Sequence, residues 1–486
     1  MVHVRRNVYA LNPEGPEISA LKTGVEAMKN TPEDDPRSWA YQAAIHGTQR
    51  RPPDEQAARI WNMCQHASFF FLSWHRMYIY FFERILRAAS GDPGLTLPYW
   101  NYSDPAQRAL PEPFREPAAR SNPLYVMERN AGINEGALLP PSAVAFGPTF
   151  NIANFLPRDA FRLSFGGGRI PSPEHFSSFT GALENQPHNI VHVLVGGNGW
   201  MSNPDTAAQD PIFWLHHANI DRLWERWLDR GGDRANPVDD RVWMDTQFPF
   251  FDEDGDEVGM SGREIVETAT QLDYVYDDEP AGPVMIAAAQ AVVSEVSGGE
   301  AEPRLVGSAG TERGEEMIEL GAEPTTVAVE LEGLTGGELA AVAEASAAGE
   351  RIVLGIDGVQ YDEPPGITYE VYLNLPEEME PDYTSNYYVG NVGFFGMEAH
   401  GHGGGHEGGG HGHPARLSFD VTDNVRALSA RGEWDANQAV VSFFARGLVP
   451  APGAETSVAE AQAMTAATSP EPAGRPRIER VVLSTE

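Results

Sequence analysis

Six histidines fall into two sets of three along this chain, His46, His66 and His75, then His188, His192 and His217. Neutral imidazole is the commonest side-chain ligand for a redox metal, and three imidazoles per ion leave coordination positions open for a small molecule. Two such sets in one domain point to a metal pair rather than a single ion. A fold for this chain must carry six side chains from separate segments to one place, and no other feature constrains it as much. The only cysteine, Cys64, lies two residues before His66 and bears on the same site.

Spacing sharpens the pattern. His188 and His192 are four apart, so on one helix they sit about 40° apart and can bind one ion. A further candidate follows in the run Asp210-Pro211-Ile212-Phe213-Trp214-Leu215-His216-His217-Ala218-Asn219-Ile220-Asp221-Arg222. His66 and His75 are nine apart, half a turn out of phase on a continuous helix. For both to reach one ion, His66 must precede the helix carrying His75, and Ala67-Ser68 allow that break. Any one of these histidines alone reads as a hydrogen-bonded core side chain; six with such flanks read as ligands.

The chain has 486 residues, enough for two or three domains. Lys and Arg number 34 against 70 Asp and Glu, a formal charge of −36. That argues against a nucleic-acid or anionic-membrane partner, because both need a basic face. It favours solubility, and adaptation to high salt is another use for such a charge. One cysteine rules out an intrachain disulfide framework and fits a reducing compartment. Arg5-Arg6 are not followed by the apolar stretch of a secretory signal, and no run approaches the length of a membrane span. The expectation is a soluble, cytoplasmic protein.

Residues 1–276 read as a mainly α domain, a helical bundle with long loops. A helix over about 14–29 places Ile18, Leu21, Val25 and Met28 at helical spacing. Phe69 to Leu86 is densely apolar but interrupted by His75, Arg76, Glu83 and Arg84, so it predicts a central helix buried on most sides. Residues 101–180, rich in Pro, Gly and Phe, read as ordered loop covering the core, and helical blocks follow over about 187–195 and 211–229. Residues 277–325 are acidic and rich in Ala and Gly, which predicts an exposed linker. From 326 to 486 strand-like runs appear, including 326–331, 352–354, 369–373, 417–421, 440–444 and 478–483, and they indicate a small β-sandwich or barrel. A His/Gly tract at 400–413 interrupts this domain and cannot pack a core. Its histidines, His400, His402, His406, His411 and His413, read either as a copper-capturing tract or as a solvent-exposed loop.

The segments Cys64-Gln65-His66, His75-Arg76 and Tyr78-Ile79-Tyr80-Phe81-Phe82-Glu83-Arg84 resemble the tyrosinase and polyphenol oxidase family of coupled dicopper proteins. So do Glu184-Asn185-Gln186-Pro187-His188-Asn189-Ile190-Val191-His192 and the run from Asp210 to Trp224. The resemblance is strong over about residues 39–229. Phe248-Pro249-Phe250-Phe251-Asp252-Glu253, Leu272-Asp273-Tyr274-Val275-Tyr276 and Ile367-Thr368-Tyr369-Glu370-Val371-Tyr372 look like later parts of plant polyphenol oxidases.

The resemblance implies that His46, His66 and His75 bind one copper ion and His188, His192 and His217 a second, with dioxygen as co-substrate. His46 has the least familiar surroundings, but it is the only histidine between His3 and His66. The family uses the second histidine of the His216-His217 pair. Trp61, Phe69, Phe70, Phe71, Trp74, Phe213 and Trp214 are candidates for an aromatic shell that excludes water, or for ordinary core. Glu184 and Asn189 match a pair proposed in the family to hold a water that deprotonates monophenols; a Glu beside Pro187 also suits a helix start. Cys64 matches the cysteine that fungal tyrosinases and molluscan haemocyanins join to a histidine by a thioether, the other reading being a free buried thiol. Plant enzymes place theirs where this chain has Arg50. In plant-like relatives the C-terminal domain covers the copper site, which implies a latent enzyme, an activating protease cutting the linker, and a blocking side chain among Phe394, Phe395 and Met397. The activity implied is ortho-hydroxylation of small phenols and oxidation of catechols to o-quinones. A catechol or o-aminophenol oxidase without hydroxylation, and a haemocyanin-like dioxygen carrier, share the motifs.

Overall fold

The computed structural model describes residues 2–144, 181–278, 304–310, 317–331, 336–345, 351–396, 415–434, 438–451 and 471–485, apart from 67, 182, 232–233 and 475. The first unit is built on six main helices: α1 (Pro16–Asn30), α2 (Trp39–His46), α3 (Glu55–Ile60), α4 (Phe71–Ser90), α5 (Ile190–Gly196) and α6 (Pro211–Asp229). α1 buries the expected stripe of Ile18, Leu21, Val25 and Met28 against α4. Gly24 lets the two close, since a Cβ there would lie 2.8 Å from Leu86 Cδ1 and 2.9 Å from its carbonyl oxygen. α6 starts with Pro211 in its first turn behind Asp210, whose carboxylate caps the Ile212 amide and takes two hydrogen bonds from buried Arg129.

α4 is buried along most of its length, and its charged residues explain how. Arg76 donates to Asp221 on α6 at 2.5 Å, and Arg5 donates to Glu83 at 2.8 Å. Arg5 ends β1 (His3–Arg5), which pairs in parallel with β4 (Tyr274–Tyr276), while β2 (Phe248–Phe251) and β3 (Glu257–Met260) form a separate hairpin. The Tyr274 and Tyr276 hydroxyls also reach Asp221, at 2.6 Å each. Buried charges survive only when paired in this way. The network ties both ends of the first unit to its central helices.

Residues 101–144 differ from the covering loop expected of them. Tyr102, Leu110, Phe114, Leu124, Ile133 and Leu139 are fully buried, so this stretch is part of the core. The remainder of that segment, 145–180, lies outside the described residues.

The second unit is an antiparallel sheet of eight strands. These are β5 (Arg304–Gly310), β7 (Thr325–Leu331), β8 (Ile352–Val359), β9 (Thr368–Leu373), β10 (Tyr388–Val392), β11 (Ala415–Asp420), β12 (Gln438–Arg446) and β14 (Arg480–Thr485). Their order is β10-β9-β12-β7-β5-β14-β8-β11, and β6 (Ile318–Glu319) with β13 (Arg477–Ile478) makes a small side ladder. The edges nearly meet: a Cβ on Gly390 of β10 would sit 2.8 Å from the Phe419 ring of β11. The curled sheet encloses Val329, Leu354, Val371, Val441, Phe443 and Leu483, so barrel-like is the better of the two expected forms. Two helices absent from the sequence reading, α7 (Gly336–Ala345) and α8 (Thr422–Arg431), pack together on β8.

The linker boundary needs correction. β5 lies inside the segment 277–325 and pairs with both β7 and β14. Gly307 permits it, because a Cβ there would meet Glu330 O at 2.4 Å. Asp277 and Asp278 belong to the first unit, where they accept hydrogen bonds from Tyr99 and Arg222. Residues 279–303, the tract 400–413 and Met397 lie outside the described residues. Among the described residues, no helix is long and apolar enough to cross a membrane.

Candidate metal centre

Four of the six histidines are fixed by a local device at Nδ1. His46 ends α2, and the following Gly47 lets Pro204 approach; a Cβ on that glycine would meet Pro204 O at 2.5 Å. The same carbonyl accepts from His46 Nδ1 at 2.9 Å. His66 lies in the irregular segment before α4, and His75 in the first turns of α4, where Nδ1 bonds Phe71 O at 2.7 Å. His192 Nδ1 bonds Met201 O at 2.8 Å, an approach allowed by Gly196, whose Cβ would fall 2.2 Å from Ser202 N. His188 Nδ1 is 2.9 Å from Asn189 Oδ1. An oxygen at Nδ1 places the proton there and turns the Nε2 lone pair outward, as metal-binding imidazoles require.

Those lone pairs converge. Nε2 of His46, His188 and His192, and both nitrogens of His217, are buried without a hydrogen-bond partner among the described residues. Ligand atoms of His46, Cys64, His66 and His75 lie within 4.8 Å of one another, and so do those of His188, His192, His216 and His217. The two groups adjoin, with the His75 and His217 rings parallel at 4.4 Å. Burial, reinforced at every histidine but His46 by neighbouring imidazoles, holds all six proposed ligands below the usual histidine range. His46 is pushed down to about 4 and His188 to about 3. They are therefore neutral at pH 7, the form that binds metal. An all-imidazole donor set with unpaired inward nitrogens fits copper in both of its common oxidation states.

The geometry brings His216 closer than the sequence reading placed it. Its ring stacks on His188 at 5.3 Å, its Nδ1 reaches the Tyr102 hydroxyl at 3.1 Å, and its Nε2 is buried and unpartnered as well. His217 has no such tether. Cys64 Sγ is 3.6 and 3.5 Å from the two ring nitrogens of His66, about equally far from both. It is also 3.4 Å from His75 Nε2. Burial, with the Glu184 carboxylate nearby, raises the thiol above its ordinary range.

Glu184 and Asn189 bound a short stretch, Glu184–Asn189, wound in i→i+5 fashion rather than as the regular helix expected. Both are buried, and Asn189 contacts His188 directly. Of the expected aromatic shell, Phe71, Trp74 and Phe213 face the histidines, with Phe213 4.2 Å from His217. Trp61, Phe69, Phe70 and Trp214 pack on other aromatics behind them.

A side chain of the second unit completes the wall. Phe395, just beyond β10, stacks on His192 at 3.8 Å with 13° between planes and presents its edge to His66 and His188. Its neighbour Phe394 points the other way, against Tyr361 and Tyr369 in the sheet's core.

Comparison with known proteins agrees with this geometry. Residues 36–230 match the common central domain of tyrosinase, 237–284 the polyphenol oxidase middle domain, and 309–458 a domain of unknown function. A tyrosinase from Hahella sp. (strain CCB-MM4) is 34% identical over 481 residues, covering 90% of this chain and 94% of that protein. The latent form of polyphenol oxidase from Prunus armeniaca is 32% identical over 279 residues, 54% of this chain and 46% of its own length. The structure of latent apple tyrosinase superposes with a TM-score of 0.63 over 100% of this chain and 97% of that one, at 23% identity, which shows a shared fold.

Proposed function

Because the chain belongs to the tyrosinase and polyphenol oxidase family, and is thus a copper oxidoreductase, we propose that it oxidises phenols and does so only when its second unit is displaced. The observation that carries the proposal is the convergence of buried, unpartnered imidazole nitrogens from two adjoining groups. His46, His66 and His75 would hold one copper ion, and His188, His192 and His217 the other. Once bound, the pair supplies two-electron redox chemistry with dioxygen, turning a monophenol into an o-quinone and water, or two catechols into two o-quinones and two waters.

The chain's own residues prepare that chemistry. Carbonyls at Nδ1 of His46, His75 and His192 fix ring orientation, so little reorganisation is left for the reaction. Phe71, Trp74 and Phe213 exclude water. Glu184 would accept the phenolic proton through a water, with Asn189 as second anchor, and the presence of both favours hydroxylation as well as catechol oxidation. Phe395 stands against His192 where an incoming aromatic ring would stack, which supports latency. A protease acting within 279–303 would release the second unit.

The test is turnover of a phenol and a catechol by the full chain and by the chain cut within 279–303, both assayed with copper in excess. Both substrates turning over only after cutting supports the proposal. Equal rates before and after cutting remove latency. One contact favours a second reading: Asn189 Oδ1 already accepts from His188, leaving it less free to hold a water. Catechol but not phenol oxidation would select that diphenol or o-aminophenol oxidase. The dioxygen-carrier alternative falls away, since the similar full-length protein is a tyrosinase.

A further inference from the structure

The backbone of Glu184–Asn189 is not regularly helical throughout. Gln186 is non-helical (φ −143°, ψ 121°), and Pro187 has no N–H to donate. Side chains also hold it, and they lead to the second unit. Asn391, on β10 and fully buried, donates from Nδ2 to Ser142 O at 2.8 Å and to Gln186 Oε1 at 3.1 Å, with the Tyr388 hydroxyl 2.6 Å from the same nitrogen. The Asn391 carbonyl accepts from Asn185 Nδ2 at 3.2 Å, and Gln186 Nε2 donates to Ser142 O at 2.7 Å. Gly393 brings the strand end onto α5, since a Cβ there would lie 2.8 Å from Ile190 Cδ1.

We infer that Asn391 is a positioning residue for the metal centre. Through Gln186 and Asn185 it holds the stretch that presents His188, so the second unit supports the site it covers. Two side chains four residues apart divide the work: Phe395 occupies the approach, and Asn391 fixes a ligand-bearing segment. Losing the Asn391 amide removes the donor to Gln186 Oε1 and one of the donors to Ser142 O, in a buried place where water does not readily replace them. The inference rests on His188 and His192 holding copper.

The experiment is done on the full chain carrying Phe395→Ala, so that a chelator reaches the site equally in every variant. Two quantities are read: the rate of copper loss to the chelator, and amide hydrogen exchange of residues 183–196 in the metal-free protein. Adding Asn391→Leu is expected to speed the loss of one of the two ions about tenfold, the usual scale for removing a ligand's supporting partner, and to raise exchange in 183–196. Gln186→Met breaks the same hydrogen bond from the first unit and should reproduce both changes, even if the strand variant fails to fold. Parental copper loss and parental exchange in the variants would overturn the inference. A parent that never takes up two ions would instead refute the ligand assignment, and the metal-free exchange would still judge the role of Asn391.

Discussion

The ring of Phe395 lies parallel to the imidazole of His192, 3.8 Å between centroids, although 203 positions separate the two in sequence and they belong to different units. Under the proposal, this flat apolar ring against a buried imidazole occupies the place a phenol would take. Replacing Phe395 by Ala should therefore raise catechol turnover by the uncut, copper-loaded chain. If the covered form opens on the order of 1% of the time, as minor states commonly do, the gain is about 100-fold. Initial quinone-forming rates decide it, and a rate unchanged from the parent would show that the ring does not block.

The two adjacent histidines on α6 should separate cleanly. Both nitrogens of His217 are unpartnered, whereas His216 has Nδ1 at the Tyr102 hydroxyl and only Nε2 unpartnered; the proposal takes His217 as the ligand. His217→Ala should retain one copper ion per chain and His216→Ala two, measured by elemental analysis after desalting. The reverse outcome would exchange their roles.

Cys64 Sγ lies about equally close to both ring nitrogens of His66, so copper-loaded protein exposed to dioxygen should form a thioether to Cε1, the carbon between them. The bond replaces S–H and C–H, and dioxygen takes up the two electrons and two protons. Intact mass should fall by two hydrogen atoms, and the thiol should resist alkylation after unfolding. Unfolded protein that alkylates fully at Cys64 would show the thiol had stayed free.

Much of this was legible in the chain, and the illegible parts have physical causes. The stripe on α1, the buried face of α4 and the cap and proline opening α6 are local, so their patterns survive without tertiary context. The break before α4 follows from the phase of His66 against His75. Which of His216 and His217 faces the metals depends on how α6 is rotated, because neighbours on a helix diverge by about 100°. Strand β5 hides in acidic, small-residue sequence, since Gly307 was chosen by a close approach to β7 rather than by strand propensity. The winding of Glu184–Asn189 is set from outside, by Asn391 and Ser142, and no spacing rule reveals that.

Asp221 carries an acid-stability prediction. Burial alone would raise its carboxyl, but Arg76 and Arg5, with the Tyr274 and Tyr276 hydroxyls, outweigh it and hold it below the usual carboxylate range. A depressed folded pKa adds stability that is complete above the unfolded value of about 3.9 and is lost as pH falls through the folded one. Asp221→Asn should cost up to about 3–5 kcal/mol near neutrality, because it removes the carboxylate shared by two buried guanidiniums and leaves Arg5 only Glu83, and Arg76 only Glu225, as carboxylate partner. It should also flatten the loss of stability below about pH 4. Denaturant unfolding at a series of pH values checks both; an unchanged acid slope would assign it elsewhere.

The central claim is that six histidines hold two copper ions close enough to act together. It is tested most directly by counting copper in the oxidised full chain while recording its electron paramagnetic resonance. Two ions per chain and almost no cupric signal are expected, because unpaired spins on two coupled cupric ions would cancel. One ion per chain, or a cupric signal of full intensity, would contradict it.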